Sequence, residues 1–145
     1  MQTTVRDLLK RKHGPLRFVH ESDSVFDAVR QLVDNNISAL LVLDGAELRG
    51  IVTERDVARN VALEGRHAKE TPVSEIMTRD VVVVGPTQTI EECMHLMTER
   101  RIRHLPVVEA GRLVGILSIR DLVDAVVSQK QFVIEQLEGY ITGRI

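Results

Sequence analysis

Leu48-Arg-Gly-Ile-Val-Thr-Glu-Arg-Asp56 and Leu113-Val-Gly-Ile-Leu-Ser-Ile-Arg-Asp121 are two versions of one stretch, 65 residues apart. The same offset carries upstream without a gap to the pairs Ile37/Ile102, Leu40/Leu105 and Val42/Val107. A period this long, present in two copies, means one supersecondary unit duplicated so that each copy buries the apolar face of the other. Any site built between them comes in related pairs.

Each copy shows the same order of elements. Leu16–Val19 and Val81–Val84 read as short strands, followed by turns at Glu21-Ser-Asp-Ser24 and Gly85-Pro-Thr-Gln-Thr89. Val25, Ala28, Val29, Leu32 and Val33 follow helical spacing, which Ile90, Cys93, Met94 and Met97 repeat. Two apolar runs of strand length come next, Ala39–Leu43 with Leu48–Thr53 and Leu105–Val108 with Leu113–Ser118, each pair joined by a short hairpin turn. A second helix starts near Glu54 or Ile119, and the latter runs on through Val126, Val133 and Leu137 until Gly139 weakens it. The expected fold class is α+β, as two β-α-β-β-α repeats: residues 1–68, residues 69–130, and a C-terminal helical extension over 131–145.

With 145 residues and 43% hydrophobic content the chain can bury one core, and no Ser/Gly/Pro-rich linker divides it. A net charge of −2 supplies no global field for nucleic acid. The N-terminus lacks a signal core and no stretch reaches transmembrane length, so the chain is expected to be soluble and cytoplasmic. Cys93 stands alone on an apolar helical stripe and reads as a core residue.

Four helix starts carry a hydroxyl followed three residues later by an acid: Ser24/Asp27, Thr53/Asp56, Thr89/Glu92 and Ser118/Asp121. Such a pair satisfies the free amides of a first helical turn, and for Ser24 and Thr89 capping is a sufficient reading. Thr53 and Ser118 differ because each ends an apolar strand, opens a helix directly and is followed by an Arg just before the acid, Arg55 or Arg120. A strand feeding a helix N-terminus aims amides at a cleft where an anion can sit. The Arg can pair with phosphate and the carboxylate can accept from vicinal hydroxyls.

These residues resemble the CBS domain family, named after cystathionine β-synthase and found as tandem pairs. The resemblance runs from Val5 to about Val127. It is carried by Gly50-Ile-Val-Thr-Glu-Arg-Asp56, Gly115-Ile-Leu-Ser-Ile-Arg-Asp121 and Arg103-His-Leu-Pro-Val-Val108, with lead-ins Val5-Arg-Asp-Leu-Leu9 and Val73-Ser-Glu-Ile-Met-Thr78. It implies two repeats packed through their sheets about a pseudo-twofold axis. The two resulting clefts would take adenosyl ligands such as AMP, ADP, ATP, NAD(H) or S-adenosylmethionine. One implied site uses Thr53, Arg55 and Asp56 with Thr78, Asp80 and Val81. The other uses Ser118, Arg120 and Asp121 with Lys10, Leu16, Ile37 and Ser38, with Arg103 and His104 at its mouth. In each, the Asp would hold ribose, the hydroxyl and Arg the phosphates, and strand backbone the adenine edge. The first copy has three extra residues around Lys12-His-Gly14, and Ser38-Ala-Leu-Leu41 stands where the second has Arg103-His-Leu-Pro106, so the clefts are not equivalent. Arg100, Arg101, Arg103 and Arg120 favour the Asp121 cleft for phosphate-rich ligands, although a run of cations also suits a solvated helix C-terminus.

No enzyme motif is evident: there is no Gly-rich dinucleotide fingerprint, phosphate loop or zinc spacing. Glu91, His95 and Glu99 share one helical face, but with one His they read as an exposed surface. Three functions stay open. The first is a regulatory adenine-nucleotide sensor acting on a separate protein, with no catalytic cofactor. The second is a structural or dimerisation module with vestigial clefts. The third is a stand-alone regulator of thioredoxin-like enzymes, a role the resemblance suggests from plant two-copy proteins. Apolar stripes on both helices of each copy predict a homodimer.

Overall fold

The computed structural model describes residues 2–12 and 14–142, with side chains through Gly139. His13 of the insertion and residues 143–145 of the extension lie outside them. The chain runs α1 (Val5–Arg11), β1 (Phe18–His20), α2 (Val25–Asp34), β2 (Ala39–Asp44), β3 (Glu47–Thr53) and α3 (Glu54–Val57). A π turn (Ala58–Ala62) and two 3-10 turns (Ala68–Glu70, Val73–Glu75) lead to α4 (Ile90–Arg100), β4 (His104–Glu109), β5 (Arg112–Ser118) and α5 (Ile119–Thr142).

The hairpins form where the apolar runs place them. Leu41 of β2 faces Ile51 of β3, and Pro106 of β4 faces Ile116 of β5, with a register shift at Val42/Leu43 and at Val107/Val108. The second turn has positive φ at both Ala110 (51°) and Gly111 (77°), as a two-residue type I′ turn requires. Left-handed residues close both helices, Asn36 just past the Asn35 cap of α2 and Arg101 as the cap of α4, after which Ile37 N–H donates to Leu32 O and Ile102 N–H to Met97 O. The duplication therefore extends to the helix ends.

The first strand of the second repeat is a correction to the expected pattern. β1 pairs in parallel with β2 over Phe18–His20, whereas Val81–Val84 forms only a bridge, Val84 with Val107. Val84 N–H donates to Pro106 O at 3.0 Å and Val108 N–H to Val84 O at 2.9 Å. Pro106 occupies the position of Leu41 and has no N–H to carry the ladder on toward Val82.

Each repeat's core is completed by the segment that leads into the other. Val5 and Leu8 of α1 are buried with Ile90, Cys93, Leu105 and Leu117 of the second repeat. Val73, Ile76 and Met77 are buried with Val25, Leu40 and Val52 of the first. Backbone bonds fix the exchange. Val5 N–H donates to Gln88 O and Ile90 N–H to Thr3 O, while Val25 N–H donates to Thr71 O and Val73 N–H to Asp23 O. A third cluster, Ala39, Leu41 and Ile51 with Leu16, Leu48, Val81, Leu113 and Ile116, closes the junction between the sheets. Burying a side chain of this size contributes about 1.5–3 kcal/mol, so the leaders fasten the repeats together.

Candidate functional site

The helix-start pattern forms as expected at four places, and a fifth was missed. Ser24 Oγ and Thr89 Oγ1 accept from the amides of Asp27 and Glu92. At Thr53 the box is reciprocal: Asp56 N–H donates to Thr53 Oγ1 at 3.2 Å and Thr53 N–H to Asp56 Oδ2 at 2.9 Å. Ser118 repeats it, with Asp121 N–H to Ser118 Oγ at 3.2 Å and Ser118 N–H to Asp121 Oδ2 at 2.8 Å. The overlooked box is Thr4/Asp7, whose spacing was equally visible; its amide and hydroxyl hold the Asp7 carboxyl below its ordinary value.

Between the repeats lies a cleft of about 700 Å³, within the range of small-molecule sites. Leu16, Ile37 and Ser38 of the first repeat line it with Arg103, His104, Ser118 and Arg120 of the second. These seven residues share one cleft wall. Ser38 and His104 touch across the junction, Ser38 Oγ to His104 Nε2 at 3.1 Å. Burial, then the Lys12 and Arg103 charges, push the His104 imidazolium below its ordinary pKa, while Asp121 pulls the other way. The imidazole is accordingly neutral near pH 7, a donor or acceptor rather than a cation.

Three placements differ from the expectation. Lys10 is exposed on α1 and is not part of the cleft wall; Lys12 is. Arg100 and Arg101 also stay off that wall, Arg101 serving as the left-handed cap of α4. The Asp121 carboxylate does not face the cleft. It lines a hollow of about 200 Å³ next to it, and Lys12 Nζ sits 3.0 Å from its Oδ2 and 2.8 Å from Ile116 O. Asn35, Asn36 and Glu54 line the cleft without having been anticipated. For the two Asn the signal was their position at a helix end, since Asn tolerates the left-handed conformation that Asn36 adopts at φ 51°.

The other set is partly assembled. Asp56 takes the Thr53 amide and hydroxyl on Oδ2 and the Thr78 hydroxyl, at 3.4 Å, on Oδ1. Thr78 is held by two backbone bonds to Ile51, N–H to Ile51 O at 2.8 Å and O from Ile51 N–H at 3.0 Å. Arg55 and Asp80 are exposed, and Val81 packs into the junction cluster. Among the described residues no His/Cys/Asp/Glu group could hold a metal ion. His95 Nε2 lies 3.3 Å from Glu99 Oε2 on an exposed helix face. No helix among them is long and apolar enough to cross a membrane.

Comparison with known proteins agrees with this architecture. The CBS domain family model matches residues 5–63 and 73–128. The chain is 37% identical over 150 residues to CBSX3, a mitochondrial CBS domain-containing protein of Arabidopsis thaliana, covering 97% of this chain and 73% of that protein. A protein with CBS domains from Burkholderia ambifaria MC40-6 superposes with a TM-score of 0.84 at 49% identity, over 87% of this chain and 95% of that one. The CBS domain pair of MJ0100, solved in complex with 5′-methylthioadenosine and S-adenosyl-L-methionine, superposes with a TM-score of 0.78 at 27% identity, over 89% of this chain and 99% of that one. The chain belongs to the CBS domain family and carries the domain twice, as a tandem pair.

Proposed function

We propose that the chain is a regulatory module whose junction cleft takes an adenosine-bearing ligand and that it acts on a separate protein. The observation that carries this reading is the cleft wall. Seven residues drawn from both repeats converge on one space of about 700 Å³, with a helix N-terminus at Ser118 and cations at Arg103 and Arg120. Such a space suits a phosphate beside a planar base. The binding of two adenosyl compounds by MJ0100 supports the ligand class.

A ligand in this cleft touches both repeats and so biases their relative placement. It also contacts the start of α5, a 24-residue helix about 36 Å long by its rise per residue. The far half of that helix, with Phe132, Val133, Ile134 and Leu137 each at least 47% exposed, is the surface on which a change would be read. We assign this apolar surface to a homodimer contact, because exposed apolar surface of this density is unstable in water. A thermal-shift panel of AMP, ADP, ATP, NAD, NADH and S-adenosylmethionine against GTP and UTP tests the ligand class. A ligand at 100 times its Kd adds about 2.7 kcal/mol, a shift of several degrees for this size. Equal shifts from ATP and GTP, or none from any adenosyl compound, overturn the proposal.

A further inference from the structure

We infer that Lys12 is the specificity-determining residue of the junction cleft: it holds the Asp121 carboxylate shut and yields only to an adenosyl ligand that brings a phosphate of its own. This rests on the reading of that cleft as an adenosyl site.

Three observations carry it. Lys12 Nζ bonds Asp121 Oδ2 at 3.0 Å and Ile116 O at 2.8 Å, so the ammonium is tied to both β5 and α5. Among the described residues Lys12 alone lines both the cleft and the hollow that contains Asp121, which places its side chain as the wall between them. In the sister repeat the carboxylate meets a neutral hydroxyl instead of a cation, Thr78 Oγ1 donating to Asp56 Oδ1 at 3.4 Å. Lys12 is placed by its position as the C-cap of α1, in extended backbone at φ −80° and ψ 138°, which carries its side chain off the helix end toward β5 and α5.

The pair is a reversible latch. Its side chains are 38% and 24% exposed, and ion pairs with this much water around them are weak enough to exchange. A neutral adenosine must break the pair and leave the Lys12 ammonium with the Ile116 carbonyl but no counter-charge if its ribose is to reach Asp121. A cationic sulfonium ligand meets Lys12, Arg17, Arg103 and Arg120 on the wall against one carboxylate among the described residues, Glu54. An adenosine 5′-phosphate offers Lys12 a new charge-assisted hydrogen bond in exchange.

The test is calorimetric titration of the full chain with ATP, adenosine and S-adenosylmethionine, wild type beside Lys12→Met, which keeps the stem and removes the charge. Arg112→Met on the distant hairpin controls for the loss of one cation, and Lys12→Arg for retained charge. The expected result is that Lys12→Met weakens ATP about tenfold or more and tightens adenosine severalfold, the first being the loss of one charge-assisted bond. Lys12→Arg and Arg112→Met should keep the wild-type ATP-to-adenosine ratio. An unchanged ratio in Lys12→Met, with ATP still binding, overturns the latch and leaves the adenosyl reading standing. A wild type that binds none of the three compounds takes down both.

Discussion

Replacing Gly50 and Gly115 by alanine, one at a time, separates two positions that the duplication makes equivalent. A Cβ on Gly50 would lie 2.7 Å from the Thr78 carbonyl oxygen and 2.9 Å from Met77 Sδ. That oxygen is backbone and accepts from Ile51 N–H, so the strand must shift or the Ile51/Thr78 bridge must open. A Cβ on Gly115 would meet Leu9 Cδ2, also at 2.7 Å, but that is the tip of a side chain able to change rotamer. Overpacking costs about 1–3 kcal/mol, and the lower unfolded-state entropy of alanine returns about 0.4–1 kcal/mol. Gly50→Ala should therefore lose about 1–2 kcal/mol net and Gly115→Ala about 0.5 kcal/mol or less. Near this chain length 1 kcal/mol moves Tm by about 2–4 °C, which gives a drop of about 2–8 °C for Gly50→Ala and of at most about 2 °C for Gly115→Ala, the former being severalfold the larger at any one slope. Scanning calorimetry with urea unfolding reads both. Equal losses, or a larger loss at Gly115, would refute the reasoning that backbone resists where a side-chain tip yields.

Other consequences are separable. Burial, with Glu92 adding to it, pushes the Cys93 thiol up to about 11, so iodoacetamide at pH 8 should label native protein only at its unfolding rate; rapid labelling counted by mass spectrometry would contradict the packing. His104 has a folded pKa below its ordinary 6.5, so its share of stability is present above that pH and lost as pH falls. Urea unfolding between pH 5 and 7.5 should show this slope reduced in His104→Gln, and an identical slope would remove His104 as its source. Phe132→Glu with Leu137→Glu should convert a dimer to a folded monomer by light scattering. A wild type that is already monomeric at micromolar concentration disposes of the homodimer.

What the sequence made legible was whatever repeats at a fixed offset or is local to one turn. Leu40/Leu105 and Val42/Val107 are all fully buried, and both hairpins and the reciprocal caps at Thr53 and Ser118 lie within a few residues of their signals. The exchange of leaders was not legible. Val5 and Leu8 at i, i+3 announce a buried face, but nothing in that spacing says which repeat covers it. The missing strand at Val81–Val84 could have been suspected from Pro106, whose effect depends on knowing that it faces this segment. Seven residues of the cleft wall were named from the resemblance, yet the reach of Lys12 was not, because an insertion breaks the offset and its path off the helix end depends on its own dihedrals.

The central claim, that the junction cleft is an adenosyl site guarded by Lys12, is tested most directly by a crystal structure of the chain grown with saturating ATP. The account predicts the nucleotide between Ser38 and Arg120, with Asp121 on ribose and Lys12 turned from the carboxylate to a phosphate. Nucleotide bound elsewhere, or a cleft still closed by an intact Lys12–Asp121 pair, would contradict it.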